Sequence, residues 1–291
     1  MFYRFCRATR RFWLACLLLH LAVYSTGVAS AQNNPASEQP AVLQGGVRKS
    51  LYQKGLQPVS LSTDVDGGMV ESAGDHAPLS GVTVSIPNTK YKTTSGMDGR
   101  FTLPELPQKP VIVAFRKNGY VPVTVTLDRN SVRRHPLVVS LSELRNTLVL
   151  DEQIRHLGDG SFSPISAGAG KFRRDSEGPV FRRRFGMDRP INGSAVLEIG
   201  SVIGLDTHAA HALGQSRFHH VSTPVQVLLN GELIGEITIN GDRQRMTLPE
   251  GLLKQNESNI LEIRTGYRHK GGGQDYDDME LMLITITLQR V

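Results

Sequence analysis

In LSGVTVSIP, residues 79–87, Val82, Val84 and Ile86 alternate with polar neighbours. That two-residue period is the mark of a strand buried on one face. Similar short patterns continue to residue 144. TSGMDGRFTLPEL predicts an Asp98-Gly99 turn before Phe101 and Leu103, PVIVAFRKNGYVPVTVTL two strands around Asn118-Gly119, and HPLVVSLS a closing strand. No part of this stretch has the period of an amphipathic helix. A second β-rich region begins at about residue 150 or 180 and runs to 291. Its strands are PVFRRRFGM, SAVLEIGSVIG, TPVQVLLNGELIGEIT, RQRMTLPEGLL, SNILEIRTGYR and MELMLITITL, with Asn230-Gly231 at a hairpin tip and one helical turn at PEGLL. Residues 146–176 read as a connector. The pattern predicts an all-β protein of two β-sandwich domains.

The N-terminal quarter differs. Residues 1–31 carry Arg4, Arg7, Arg10 and Arg11, then an apolar run, then Ala29-Ser30-Ala31. Basic start, short apolar middle and small-residue end predict a cleaved secretory signal peptide. The run is too short for a comfortable span, so no stable transmembrane segment is expected after cleavage. Residues 32–76 read as a disordered linker, because a Gln-, Ser-, Gly- and Pro-rich stretch cannot bury enough apolar surface to offset its ordering. The leader changes the composition too. Both cysteines, Cys6 and Cys16, lie in it, so the exported chain has no disulfide, zinc-thiolate site or thiol nucleophile. The net charge of +6 less its four arginines is +2, which gives no reason to expect nucleic acid. The expected location is periplasmic or extracellular.

The segments PLSGVTVSIPNT, TTSGMDGRFTLPELP and VIVAFRKNGYVPVTVTL make residues 77–145 resemble the carboxypeptidase regulatory-like, transthyretin-type domain. That resemblance implies a small sandwich and says almost nothing about function. VQVLLNGELIG, LPEGLLKQNESNILEI and DYDDMELMLITITL make residues 146–291, with their N-terminal connector, resemble a galactose-binding-like jelly roll, with Ser258 where that family often has glycine. The order of the two is similar to the non-catalytic domains of rhamnogalacturonan-type polysaccharide lyases, without their catalytic domain.

Candidate chemistry centres on GGGQDYDDMELM. Asp275, Asp277, Asp278 and Glu280 are hard oxygen donors of the kind calcium prefers. They do not form an EF-hand, because Glu280 stands where that loop needs glycine. Strand alternation places Asp278 and Glu280 on one face and Asp277 and Met279 on the other, so the run supplies at most part of a site. The nearest expected complement is HLGDGSF, residues 156–162. Calcium held by Asp159, Asp277, Asp278 and Glu280 is the metal expectation, which the jelly-roll resemblance also implies. Solvated charges on a glycine-hinged loop are the plain alternative.

His208 and His211 lie in a Gly/Ala-rich stretch, DTHAAHALGQSRFHHV, that reads as a mobile loop without zincin spacing. With Tyr267, Asp275 and Tyr276 they are the expected ligand-binding residues, because sugar sites need flat faces beside polar groups and the only tryptophan, Trp13, is in the leader. In FRRRF, Arg183 shares a face with Phe181 and Phe185 and is expected to be partly buried against an acid; an anionic-glycan or phospholipid patch is the functional alternative. Nucleophile-elbow, zincin and phosphate-loop motifs are absent. The expected function is an exported, non-catalytic protein that binds a polysaccharide or cell-envelope component. A structural or adhesion scaffold is the alternative, and a polysaccharide-active enzyme a third reading.

Overall fold

The computed structural model describes residues 67–134, 137–161, 172–191, 193–216, 224–268 and 274–289. The leader, most of the linker and the Phe218–His220 stretch lie outside them. The described chain is all-β apart from two short helices, and its sheets form two sandwiches. Among the described residues no helix is long and apolar enough to cross a membrane.

The first sandwich contains β1 (Gly67–Ser72), β2 (Thr83–Ser85), β3 (Lys92–Thr94), β4 (Arg100–Thr102), β5 (Val111–Arg116), β6 (Val123–Leu127), helix α1 (Arg129–Arg134) and β7 (Leu137–Leu141). A sheet of order β4-β1-β7 faces one of order β3-β2-β5-β6. Val70, Val82, Val84, Leu106, Phe115 and Leu141 are fully buried between them. Phe101 meets Phe115 edge to face with ring centroids 5.3 Å apart. The Asp98-Gly99 turn needs its glycine twice over: Gly99 has φ +72°, and a Cβ there would lie 2.4 Å from the Val70 carbonyl.

One boundary moves. Residues 67–72 fall in the expected linker, yet they form β1, antiparallel to β4 and parallel to β7. GGMVES has little strand pattern of its own; the two neighbouring strands supply its hydrogen bonds.

The second sandwich contains β8 (Thr147–Leu157), β9 (Val180–Gly186), β10 (Ala195–Ile203), helix α2 (His208–Ala212), β11 (Val225–Leu229), β12 (Glu232–Ile237), β13 (Gly241–Leu248), β14 (Ser258–Arg264), β15 (Gly266–Arg268), β16 (Gln274–Tyr276) and β17 (Met279–Leu288). Sheets of order β13-β10-β17-β8 and β12-β11-β14-β9 close over Leu197, Ile199, Leu229, Leu261, Ile263, Leu281 and Ile284. Asn230 and Gly231 have φ of +52° and +89°, as a two-residue hairpin requires. Two expectations are corrected. The stretch expected to be a connector contains β8, the longest strand, paired along β17. The expected loop around His208 contains α2, seeded by the Thr207 hydroxyl, which accepts from the Ala210 N–H at 3.1 Å.

β17 also joins the sandwiches. Its alternation breaks at a bulge between Met282 and Ile284, with Leu283 at φ +65°. Met279, Leu281, Ile284 and Ile286 enter the core, while Met282 and Leu283 turn outward together. They pack with Ile154 and Ile203 against Ile112 and Ala114 of β5. Beside this apolar seam, Asp242 accepts from the Thr126 N–H at 3.0 Å, the Thr126 hydroxyl at 2.7 Å and the Ser201 hydroxyl at 2.6 Å. Gly200 permits the approach, since a Cβ there would lie 2.3 Å from Thr124 Oγ1.

Candidate ligand-binding site

The acidic run sits where β16 hands over to β17, and its acids turn inward. Asp277, Asp278 and Glu280 are all buried, with 2%, 5% and 0% of their surface exposed. Burial of three carboxyl groups needs polar partners, and the fold supplies them from two directions.

Asp277 faces α2. Its carboxylate accepts from the Asp206 N–H at 3.0 Å, and its own N–H donates to the Thr265 carbonyl at 2.9 Å. The Ser216 hydroxyl donates to Asp206 Oδ1, and His211 Nδ1 lies 3.1 Å from the Ser216 carbonyl. The His208–His211 turn and the acidic run are thereby tied together.

Asp278 and Glu280 face β8 and the segment after it. Asp278 Oδ1 accepts from His156 Nε2 at 2.9 Å and from the Gly160 N–H at 3.0 Å. A side chain at Gly158 is excluded, because its Cβ would lie 2.3 Å from that oxygen. His156 Nδ1 lies 2.8 Å from the Arg174 carbonyl. Both ring nitrogens thus face oxygen atoms, an arrangement that favours the charged ring. Burial opposes that charge, but the bonds to Asp278 and the Arg174 carbonyl outweigh it and raise the imidazole pKa. Glu280, opposite His156 across the ladder, accepts from the Arg173 and Arg174 N–H groups. Burial nevertheless pushes its carboxyl up to about 7. Phe172 covers the His156 ring at 4.1 Å between centroids. Asn88 of the first sandwich donates to the Arg173 carbonyl at 3.1 Å. Residues 172–174 thus form a strap pinned to the second sandwich by buried polar groups and touched by the first.

The expected complement of the acidic run is therefore in the right stretch but is a different residue. His156 and the Gly160 backbone meet Asp278, whereas Asp159 is exposed and accepts from the Ser161 N–H at 2.9 Å. The expected calcium ligands diverge: Asp277 points to α2, Asp278 and Glu280 to the strap, and Asp159 to solvent. Asp278 Oδ2 and Glu280 Oε2 are buried without a hydrogen-bond partner among the described residues. Among the described residues no three His, Cys, Asp or Glu side chains group so as to hold a metal ion. The donor set does not fit calcium as expected, because alternation and the two tethers pull it apart.

Of the expected ligand residues, Tyr267 and Asp275 are register partners in the β15–β16 ribbon, and Tyr276 is half-buried at its base, opposite Gly266. His208 is exposed and His211 half-buried on α2. Arg183 is corrected: it is exposed, and the arginine that meets an acid is Arg182, bonded to Glu262 from the opposite face of β9. Sequence reading gave no role to His156, Asp206, Asp242 or Glu262, although His156 opens the HLGDGSF stretch and Asp206 the DTHAAHALGQSRFHHV stretch.

These features define an all-β protein of two sandwiches, the second with a buried polar clamp under its last strand. Residues 67–141, the first sandwich, match the carboxypeptidase regulatory-like domain, a regulatory, non-catalytic kind of domain. No curated protein matches the chain.

Proposed function

We propose that this chain is an exported, non-catalytic protein that binds a polysaccharide or another cell-envelope component through loops at one end of its second sandwich. The observation that carries this reading is the use made of the loop acids. Asp277, Asp278 and Glu280 are buried and bonded to Asp206, His156, Gly160, Arg173 and Arg174. They hold a framework and do not reach toward a substrate. On that framework stands the β15–β16 ribbon with Tyr267, Asp275 and Tyr276, which runs directly into Asp277 and its bond from Asp206. A loop fixed before binding loses less entropy when its ligand arrives. The resemblance of the second sandwich to galactose-binding-like jelly rolls, and of the pair to the accessory domains of rhamnogalacturonan-type lyases, points the same way.

The test is a glycan array of the secreted form, run with and without a chelator. Wild type is expected to retain a polysaccharide, Tyr276→Ala to bind it about 10-fold more weakly, and the chelator to change nothing. An array without signal, together with specific capture of envelope proteins, would replace this reading with the scaffold alternative.

A further inference from the structure

The sheet β12-β11-β14-β9 has two faces. Its inner face supplies Phe181, Val227, Leu229, Leu261 and Ile263 to the core. Alternation then sends Val180, Arg182 and Arg184 of β9 outward, with Ile260, Glu262 and Arg264 of β14. The register sets Glu262 directly opposite Arg182, Arg264 opposite Val180 and Ile260 opposite Arg184. Leu228 of β11 lies on the other side of Glu262, and Leu233 of β12 beside Leu228.

Glu262 is the organising group. Arg182 donates to its Oε1 from Nε at 2.7 Å, and its Nη2 lies 2.5 Å from the same oxygen. Arg264 donates to its Oε2 from Nε at 3.0 Å and Nη2 at 2.5 Å. The Glu262 side chain is 11% exposed, against 63% for Arg182 and 40% for Arg264. The carboxylate is thus gripped from both sides, and two guanidinium groups are held in place with their Nη1 ends directed away from it. A guanidinium already oriented loses less freedom when it binds a second carboxylate. Arg184, also exposed, extends the row. On this face of β9 and β14, three arginines meet one glutamate.

We propose that this row is a binding surface for a linear acidic polysaccharide, with Arg182, Arg184 and Arg264 taking its carboxylates and the exposed Leu233 and half-buried Ile260 lying under the sugar rings. The proposal rests on the reading of the chain as a polysaccharide-binding protein and adds a second surface and a ligand charge to it. Shape and charge select the occupant. Alternate residues on a strand are about 7 Å apart and neighbouring strands about 4.8 Å apart, so the surplus charge forms a narrow strip. Gln226 and Glu236 continue the face toward β12, so the positive charge does not spread into a plane such as a membrane would meet. The face presents aliphatic side chains, whereas single-stranded nucleic acid is bound by stacking on aromatic ones. Charges on β9 also have a structural use, since an edge strand with charged side chains resists pairing with another chain. Lysine serves that purpose as well as arginine does, but it lacks the planar fork.

The test uses the full secreted chain and the Arg184→Gln and Arg182→Lys/Arg264→Lys variants. Arg184→Gln leaves the Glu262 grip intact, and the lysine pair keeps the charge. The probes are polygalacturonate, a neutral galactan, a single-stranded oligonucleotide and vesicles of phosphatidylglycerol, at low and moderate salt. Wild type is expected to bind polygalacturonate at least 10-fold tighter than the other three, and each variant to lose at least 5-fold of that affinity. Equal affinity for acidic and neutral polymers overturns this proposal while sparing the parent reading, and absence of binding to any glycan overturns both. Tighter binding to vesicles or oligonucleotide, or unchanged polygalacturonate affinity in both variants, also overturns the acidic-strip proposal.

Discussion

Glu280 and His156 lie opposite each other on neighbouring strands, and both titrate under strain from burial. The Glu280 carboxyl is raised from 4.5 to about 7, chiefly by desolvation. A carboxyl raised in the folded state favours folding most when protonated. Its contribution is present below its unfolded value and is lost as pH rises through about 7. His156 is raised as well, because its bonds to Asp278 and the Arg174 carbonyl outweigh burial. Its contribution is likewise present below the unfolded value near 6.5 and is lost as pH climbs past the folded one. The two act in the same direction. The melting temperature is therefore expected to fall between about pH 5 and pH 8, with Glu280 alone accounting for roughly 3 kcal/mol. Glu280→Gln keeps an acceptor for the Arg173 and Arg174 N–H groups without the charge, and is expected to flatten the dependence. Thermal scans of both proteins across that range check this; an equally steep profile in the variant would show that Glu280 is not the titrating group.

Strand β17 shows what one irregularity does at the scale of an element. A regular strand would send Met282 and Leu283 to opposite faces. The bulge sends both to the seam and returns Ile284 to the core. Gly200 on neighbouring β10 faces the same place: a Cβ there would stand 2.3 Å from Thr124 Oγ1 and 3.0 Å from Leu283 Cβ. Gly200→Ala is expected to destabilise by about 1–3 kcal/mol through overpacking, measured as a lower urea midpoint with unchanged slope. No loss of stability would mean that the sandwiches separate more easily than the seam implies.

At the scale of the whole molecule, the seam makes the two sandwiches one body. Apolar contacts from β5 and β17, the Asp242 hydrogen bonds and the Arg116–Glu152 ion pair at 2.7 Å all cross it. Desolvation raises the Asp242 carboxyl despite its bonds from Ser201 and Thr126. One calorimetric transition is expected for the wild type. Met282→Asp buries a charge in the seam without touching either core, and is expected to split that transition into two. A single transition in the variant would mean that the sandwiches are coupled by something other than this contact.

Sequence by itself determined most strands, their turns and the all-β class. These depend on local quantities: alternation in LSGVTVSIP and SAVLEIGSVIG, and positive φ at Gly99 and Asn230-Gly231. Alternation also divided Asp277 from Asp278 and Glu280 correctly, because side-chain direction in a strand is local. Tertiary structure alone decided the rest. β1 exists because β4 and β7 flank it. β8 is hidden in the pattern because it serves two environments: Leu150 and Leu157 enter the core, while Val149 and Ile154 meet the seam. A strand buried on both faces loses its alternation. The partners of the buried acids lie far along the chain, with His156 and Asp278 separated by 122 positions and Thr126 and Asp242 by 116. Which distant polar group satisfies a buried carboxylate is fixed by register and packing, and neither is written in the spacing of residues along the chain.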